Sequence, residues 1–178
     1  MSASEQQGVI LNTGLNRYTA RFNVTHKMFD DRLILAMNLN NTNYKFNNFV
    51  QQQTNGADGG IINNALKADP TQAIYNDDGS FKESSALSVR NPVAMAKQIS
   101  DISKGDRFIG NAEATLFLLP KVLSFRANYA YDVDNTMRKA YQPIASMVAK
   151  TVNGRALVEN NKYFNQLIET YLTYSKTF

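Results

Sequence analysis

Apolar and polar residues alternate without a break from Arg17 to Met28. Tyr18, Ala20, Phe22, Val24 and Met28 fall on one side, interrupted by His26, while Thr19, Arg21, Asn23, Thr25 and Lys27 fall on the other. Successive side chains of a strand point to opposite faces, so this pattern predicts a strand with one apolar and one wet face. Asp30-Asp31 reads as a two-residue hairpin turn into a second apolar-rich run, Leu33 to Leu39. From Arg107 onward, Phe108, Gly110, Ala112, Ala114, Leu116 and Leu118 oppose Asn111, Glu113 and Thr115. After a short turn at Pro120-Lys121, Leu123, Phe125, Ala127, Tyr129 and Tyr131 oppose Ser124, Arg126, Asn128 and Asp132. A last block sets Ile168, Thr170, Leu172 and Tyr174 against Glu169, Tyr171, Thr173 and Ser175. The expected fold is all-β: an antiparallel up-and-down meander with strands at about 17–29, 32–44, 106–119, 122–133 and 164–177.

Two long connections, about 45–105 and 134–162, separate the blocks. The first opens with the polar, turn-prone Asn47-Asn48 and Gln51 to Gly56. Ile61 to Lys67 suits a short helix, and Asp78-Gly79 a small hairpin between Ile74 and Phe81. Asn91 as N-cap and Pro92 at the first helical position start a turn through Val93, Ala94, Met95 and Ile99. The second contains Tyr141-Gln142-Pro143 and Asn153-Gly154. Connections thus run short, long, short, long. Structureless loops above roughly 15 residues are uncommon in compact soluble domains, but outer-membrane barrels carry short turns at one rim and long loops at the other. The alternating runs cover about 11–14 residues, against roughly 5–6 for an average strand. Tyr18, Tyr129, Tyr131 and Tyr174 sit near the ends of these runs, where an aromatic girdle belongs. Outer-membrane lipid is therefore the expected partner of the apolar face.

Composition removes other classes. No stretch approaches the about 18 consecutive apolar residues of a membrane-spanning helix, which does not bear on spanning strands. The N-terminus, Met1 to Gln7, has neither the basic nor the apolar region of a signal peptide. The 178 residues contain no cysteine, hence neither disulfide nor thiolate metal site. The net charge of +4 is scattered, and no basic patch interleaves with a nucleic-acid motif, so no nucleic-acid partner is expected.

Candidate chemistry is sparse. His26, the one histidine, has no evident co-ligands. Asp132-Val133-Asp134-Asn135 has the start of a calcium loop, but Met137 stands where the glycine belongs and Pro143 where the twelfth-position acid belongs. Asn23-Val24-Thr25 and Asn40-Asn41-Thr42 fit the glycosylation pattern inside strand-like runs. Gly59-Gly60 lacks the Lys and Ser/Thr of a phosphate loop, and no nucleophile pairs with a base. Neither an enzyme, a metal site nor a cofactor is expected. Arg21, Asn23, Glu113, Arg126, Asn128 and Glu169 compose the polar face and are the candidates for facing a lumen. Tyr75, Asp77, Phe81 and Tyr141, in the expected loops, are the candidates for contact with substrate or partner.

Several ordered segments resemble one family. These are Gly8-Val9-Ile10, Asn16-Arg17-Tyr18, Arg21-Phe22-Asn23 with His26-Lys27, Ala68 to Thr71, Ile74 to Ser80, Asn91 to Ala94, Asp106 to Asn111, and Leu172 to Phe178. Together they resemble the SusC/RagA family of TonB-dependent outer-membrane transporters. That resemblance implies a barrel of about 22 strands filled by a plug domain. It implies import of oligosaccharides or peptides into the periplasm, driven by TonB and the proton gradient, with a SusD-like surface lipoprotein over the mouth. It further implies a Gram-negative, Bacteroidetes-like outer membrane as the location. Signal peptide, TonB box and plug are missing from this sequence, so an internal barrel fragment is expected, with TonB coupling lying outside it. The alternative reading is a soluble β-sandwich module for glycan binding or adhesion, its apolar faces packed sheet on sheet.

Overall fold

The computed structural model describes residues 1–48, 60–84, 89–120 and 122–176. Six strands lie in chain order in one antiparallel sheet. They are β1 (Ser2–Gln7), β2 (Gly14–Met28), β3 (Leu33–Asn47), β4 (Ser100–Leu119), β5 (Leu123–Gln142) and β6 (Arg155–Tyr174). Two short helices, α1 (Ile61–Lys67) and α2 (Pro92–Gln98), interrupt the β3–β4 connection. A single 3-10 turn, Lys150–Val152, lies between β5 and β6. The meander is thus the observed architecture. A sandwich needs two packed sheets, and the described strands form one.

Register fixes the faces. Met28 pairs with Leu33, Leu33 with Leu116, Leu116 with Phe125 and Phe125 with Leu172. Two residues further along each strand the row is His26, Leu35, Ala114, Ala127 and Thr170; then Val24, Met37, Ala112, Tyr129 and Ile168. Next come Phe22, Leu39, Gly110, Tyr131 and Gln166, then Ala20, Asn41, Phe108, Val133 and Phe164. The sixth row, Tyr18, Asn43, Asp106, Asn135 and Lys162, is predominantly polar. The five apolar rows extend about 27 Å along a strand, or about 20 Å along the normal of a bilayer crossed at about 40°.

Nothing covers this face among the described residues. Phe22 is 55% exposed, Ile168 73% and Leu172 62%. The buried apolar side chains lie instead at the long-loop end: Ile61, Met95 and Ala96, with Ile10, Ile99 and Val148 packed against them. Among the described residues there is therefore a small core in the loops and none behind the sheet.

Local chemistry accounts for the turns and helices. At the β2–β3 hairpin the Arg32 amide donates to the Phe29 carbonyl at 3.1 Å, and Asp30 and Asp31 have φ of 53° and 62°. Positive φ at both central residues is what the tight primed hairpin turn requires, and aspartate tolerates it. The Asn91 side chain accepts from the amides of Val93 and Ala94, with Pro92 in the first turn of α2. Tyr75 bridges Phe81 around Gly79, whose φ is 81°.

Several expected boundaries change. β4 begins at Ser100, β5 runs on to Gln142 and β6 begins at Arg155, so the second long loop spans 143–154 instead of 134–162. Tyr141 consequently lies in a strand. Tyr129 and Tyr131 sit in the middle of β5, yet Tyr131 still falls near the upper edge of the apolar rows. β1 is a strand the alternation did not reveal, and β6 ends at Tyr174. The Gln51 to Gly56 stretch, Gly59, Lys121 and the terminal Thr177-Phe178 lie outside the described residues.

Loops and wall meet at a charged junction beyond the apolar rows. Asp101, 5% exposed, takes a two-pronged contact from Arg138, Nε to Oδ1 at 2.9 Å and a terminal nitrogen to Oδ2 at 2.6 Å. Asn48 Nδ2 donates to Asp101 Oδ1 at 2.9 Å. Burial alone would raise the Asp101 pKa. The hydrogen bonds from Arg138 and Asn48 and the Arg138 charge outweigh it, and the net direction is down.

Two outcomes test this division. Met95→Ala should cost the loop core about 2–4 kcal/mol. In the intact protein this would appear as faster proteolysis within 60–99 while the β-sheet circular dichroism is unchanged. Asp101→Asn should destabilise by about 2 kcal/mol at neutral pH. Since the folded pKa is depressed, the contribution is present above the ordinary carboxylate range and lost as pH falls through the folded value. The gap between wild type and variant in urea unfolding should therefore close below about pH 4.

Candidate functional site

The six polar-face candidates come from four strands, and register places them on one face, opposite the apolar rows. Arg21 and Asn23 are on β2, Glu113 on β4, Arg126 and Asn128 on β5, and Glu169 on β6. Along β3 to β6 their amides form a cross-strand chain. Asn38 Nδ2 donates to Asn111 Oδ1 at 3.3 Å, Asn111 donates to Asn128, and Asn128 Nδ2 donates to Glu169 Oε2 at 3.1 Å. Arg126 is held on three sides: 3.2 Å to the Thr115 hydroxyl, 3.4 Å to Glu113 Oε1 and 3.1 Å to the Tyr171 hydroxyl. Its guanidinium also lies 5.5 Å from the centre of the Tyr171 ring. Arg21 and Asn23 differ. Both are exposed, and among the described residues neither has an ion pair or side-chain hydrogen bond.

Arg107, Tyr44 and Thr136, also on this face, were not singled out from the sequence. Arg107 grips Asp132 with two hydrogen bonds, 3.0 and 2.7 Å. Tyr44, on β3, lies across Gly105 of β4; a Cβ on that glycine would sit 2.1 Å from the ring. Its hydroxyl reaches β5, 2.7 Å from the Thr136 hydroxyl and 3.5 Å from Asp134. The aspartates of the calcium-like stretch are thus strand residues held by an arginine, a tyrosine and a threonine. The signal that could have found these groups is register: Arg107 and Asp132 are 25 residues apart and meet only because Arg107 pairs with Asp134.

The loop candidates separate. Tyr75 and Phe81 pack on each other with centroids 5.1 Å apart, and Lys97 donates to the Tyr75 hydroxyl at 2.9 Å. Asp77 is exposed beside them at the hairpin tip. The next residue, Asp78, accepts from the Ser80 hydroxyl and amide, which holds its pKa below the usual range. Thr71 does the same for Asp69. Tyr141 is placed elsewhere. It pairs with Ser100 and Ala156 at the top of the sheet, on the face that carries the apolar rows.

The arrangement is therefore a wall. On one face lie uncovered apolar rows. On the other, amide and guanidinium groups are satisfied chiefly by one another, while Arg21 and Asn23 on β2 stand without side-chain partners among the described residues. Folded loops close one end. No protein-family model matches the chain. It is 31% identical over 176 residues to the TonB-dependent receptor P3 of Formosa agariphila. The match covers 97% of this chain and 17% of that relative's length. Over nearly its whole length the chain is similar to one stretch of a TonB-dependent receptor, and its open antiparallel sheet is consistent with a fragment of such a receptor.

Proposed function

We propose that the chain is a stretch of barrel wall and extracellular rim in an outer-membrane importer of the SusC/RagA type, taking up oligosaccharide or peptide. One observation carries the reading: apolar rows spanning five strands end together, on a face that the described residues leave bare. Lipid is the solvent that such a face fits. The opposite face then borders the lumen, and its internally paired groups make a wet wall that keeps its own shape. Arg21 and Asn23 are exposed groups on it that can engage a plug or passing substrate. Tyr75, Asp77 and Phe81, at the tip of a loop hairpin, belong to the outer rim, where a SusD-like lipoprotein would cover the mouth. TonB would act through a plug, which these residues do not form. The relative's name supports a TonB-dependent receptor; the substrate class rests on the resemblance to SusC/RagA.

The two faces should respond unequally to charge. In the intact protein reconstituted in lipid vesicles, Ala112→Arg, in the middle row, should cost about 2–4 kcal/mol in urea unfolding. Asn23→Arg should stay within about 0.5 kcal/mol. This stretch has no tryptophan, so with any tryptophan elsewhere in the intact protein replaced by phenylalanine, Phe22→Trp and Asn23→Trp give a direct readout. Brominated lipid tails should quench the first and not the second. Equal costs, or equal quenching, would overturn the reading.

A further inference from the structure

Immediately above the apolar rows the same outward face becomes basic. Lys162 lies in the sixth row; Lys45 and Lys104 pair directly with each other in the seventh; Lys139 follows in the eighth. All four are exposed, and among the described residues none has an ion pair or side-chain hydrogen bond. The acids on this face at that height are Asp106, which accepts from Asn41 at 3.1 Å, and Glu5, on β1 two strands from Lys45. Directly opposed like charges destabilise a ladder, so the Lys45–Lys104 pair raises the free energy of the sheet unless an anion lies against it. A groove of about 450 Å³ runs beside Lys104 and Lys162, lined also by Asn43, Asn135 and Asn160. The five apolar rows below carry no lysine or arginine on this face. On the inward face at the same height, by contrast, Arg138 is matched by Asp101 and Glu159.

We propose that Lys45, Lys104, Lys139 and Lys162 form a docking surface for phosphate-bearing lipid headgroups of the outer leaflet. The inference rests on the reading of this face as lipid-facing, because that reading sets the lysines one to three rows above the hydrocarbon, at headgroup depth. Phe108, Tyr131 and Phe164 mark the boundary just below, stacked edge to face with centroids 6.2 and 5.2 Å apart. Lysine suits the task, since its long stem can lie along apolar surface while the ammonium reaches a phosphate oxygen. The asparagines between the lysines supply neutral donors.

The test compares the intact protein in phosphatidylcholine vesicles with the same protein in vesicles containing three parts phosphatidylglycerol to seven of phosphatidylcholine. Near an anionic surface each lysine contributes about 1 kcal/mol, so the four together should favour the folded form in the anionic vesicles by up to about a thousandfold. Lys45→Gln, Lys104→Gln and Lys162→Gln together should abolish most of that gain, and the corresponding arginine triple should keep it. A control triple in the loops, Lys67→Gln, Lys82→Gln and Lys150→Gln, should keep it too. Inorganic phosphate added to phosphatidylcholine vesicles should give no comparable gain; if it does, the surface binds free phosphate and the lipid assignment falls. An equal gain in the wall-lysine glutamine triple, or no gain in wild type, overturns the proposal. Quenching of Phe22→Trp by brominated tails separates this from failure of the wall reading: a protein that inserts but ignores headgroup charge sinks only the lysine surface.

Discussion

Everything in this molecule depends on the register of one antiparallel ladder. Side chains alternate with a period of two, so a slip of one residue would carry each apolar row to the wet side and bring Arg126 and Glu113 to the other. The ladder runs without a shift over twenty pairs between β5 and β6, from Leu123 with Tyr174 to Gln142 with Arg155. The one irregularity lies beside the β4–β5 turn, between Phe117 and Leu119. The primed turn at Asp30-Asp31 locks one end of the β2–β3 pair, and the Arg32 carbonyl, accepting from the Phe117 amide, ties that turn to β4. Toward the other end, Tyr44 crosses Gly105 to reach Thr136, and glycine permits that crossing because it has no Cβ.

A ladder of this length also solves a solvation problem. In hydrocarbon a backbone amide or carbonyl without a partner costs several kcal/mol, so only structures that pair every group can cross. Strands β3 to β5 are paired on both sides; among the described residues β2 meets β1 only from Gly14 to Thr19, so its lower half, like β6, has one neighbour. β6 carries Phe164, Ile168 and Leu172 toward the apolar side along a twenty-residue strand. In a bilayer its free edge requires another strand. Closure is thus a demand of the wall's own hydrogen-bond accounting, independent of any family likeness.

How much of this was legible in the chain follows from where two kinds of signal exist. Within the apolar rows, alternation has high contrast, and the β2–β3 pair, the lower part of β4 and β5 and the end of β6 could be read directly. Above them both faces turn polar: Lys104 and Asp106 alternate with Ser103 and Arg107, and Asn160 and Lys162 with Asn161 and Tyr163. Period-two contrast vanishes there although the strands continue. The all-polar interior of β1 is hidden for the same reason. α1 and α2 were legible because their cues are local: apolar residues four apart (Ile61 with Ala65, Ile62 with Leu66), and an asparagine cap followed by proline. The candidates of the polar face could be assigned a side from parity alone. Which of them hold one another could not, since Asn128 with Glu169 or Arg107 with Asp132 requires knowing which residues of distant strands sit level.

The wall and its loops stand on different physics, and this bears on how a rim of this kind could vary. The wall draws its order from backbone pairing and from the solvent on either side, so its interior need not be packed. The loops have a small conventional core around Met95, joined to the β1–β2 turn by Asn12, whose Nδ2 donates to the Ala96 carbonyl at 2.9 Å. Asp101 is the tie between them, because Asn48 leaving β3, Ser103 and Arg138 all converge on that corner of the sheet. A substitution in the hairpin of Tyr75 and Phe81 can therefore reshape the rim without disturbing the register, whereas one at Asp101 or Asn48 loosens both. The loop end is free to change where the chain folds on itself and is constrained where it rejoins the ladder.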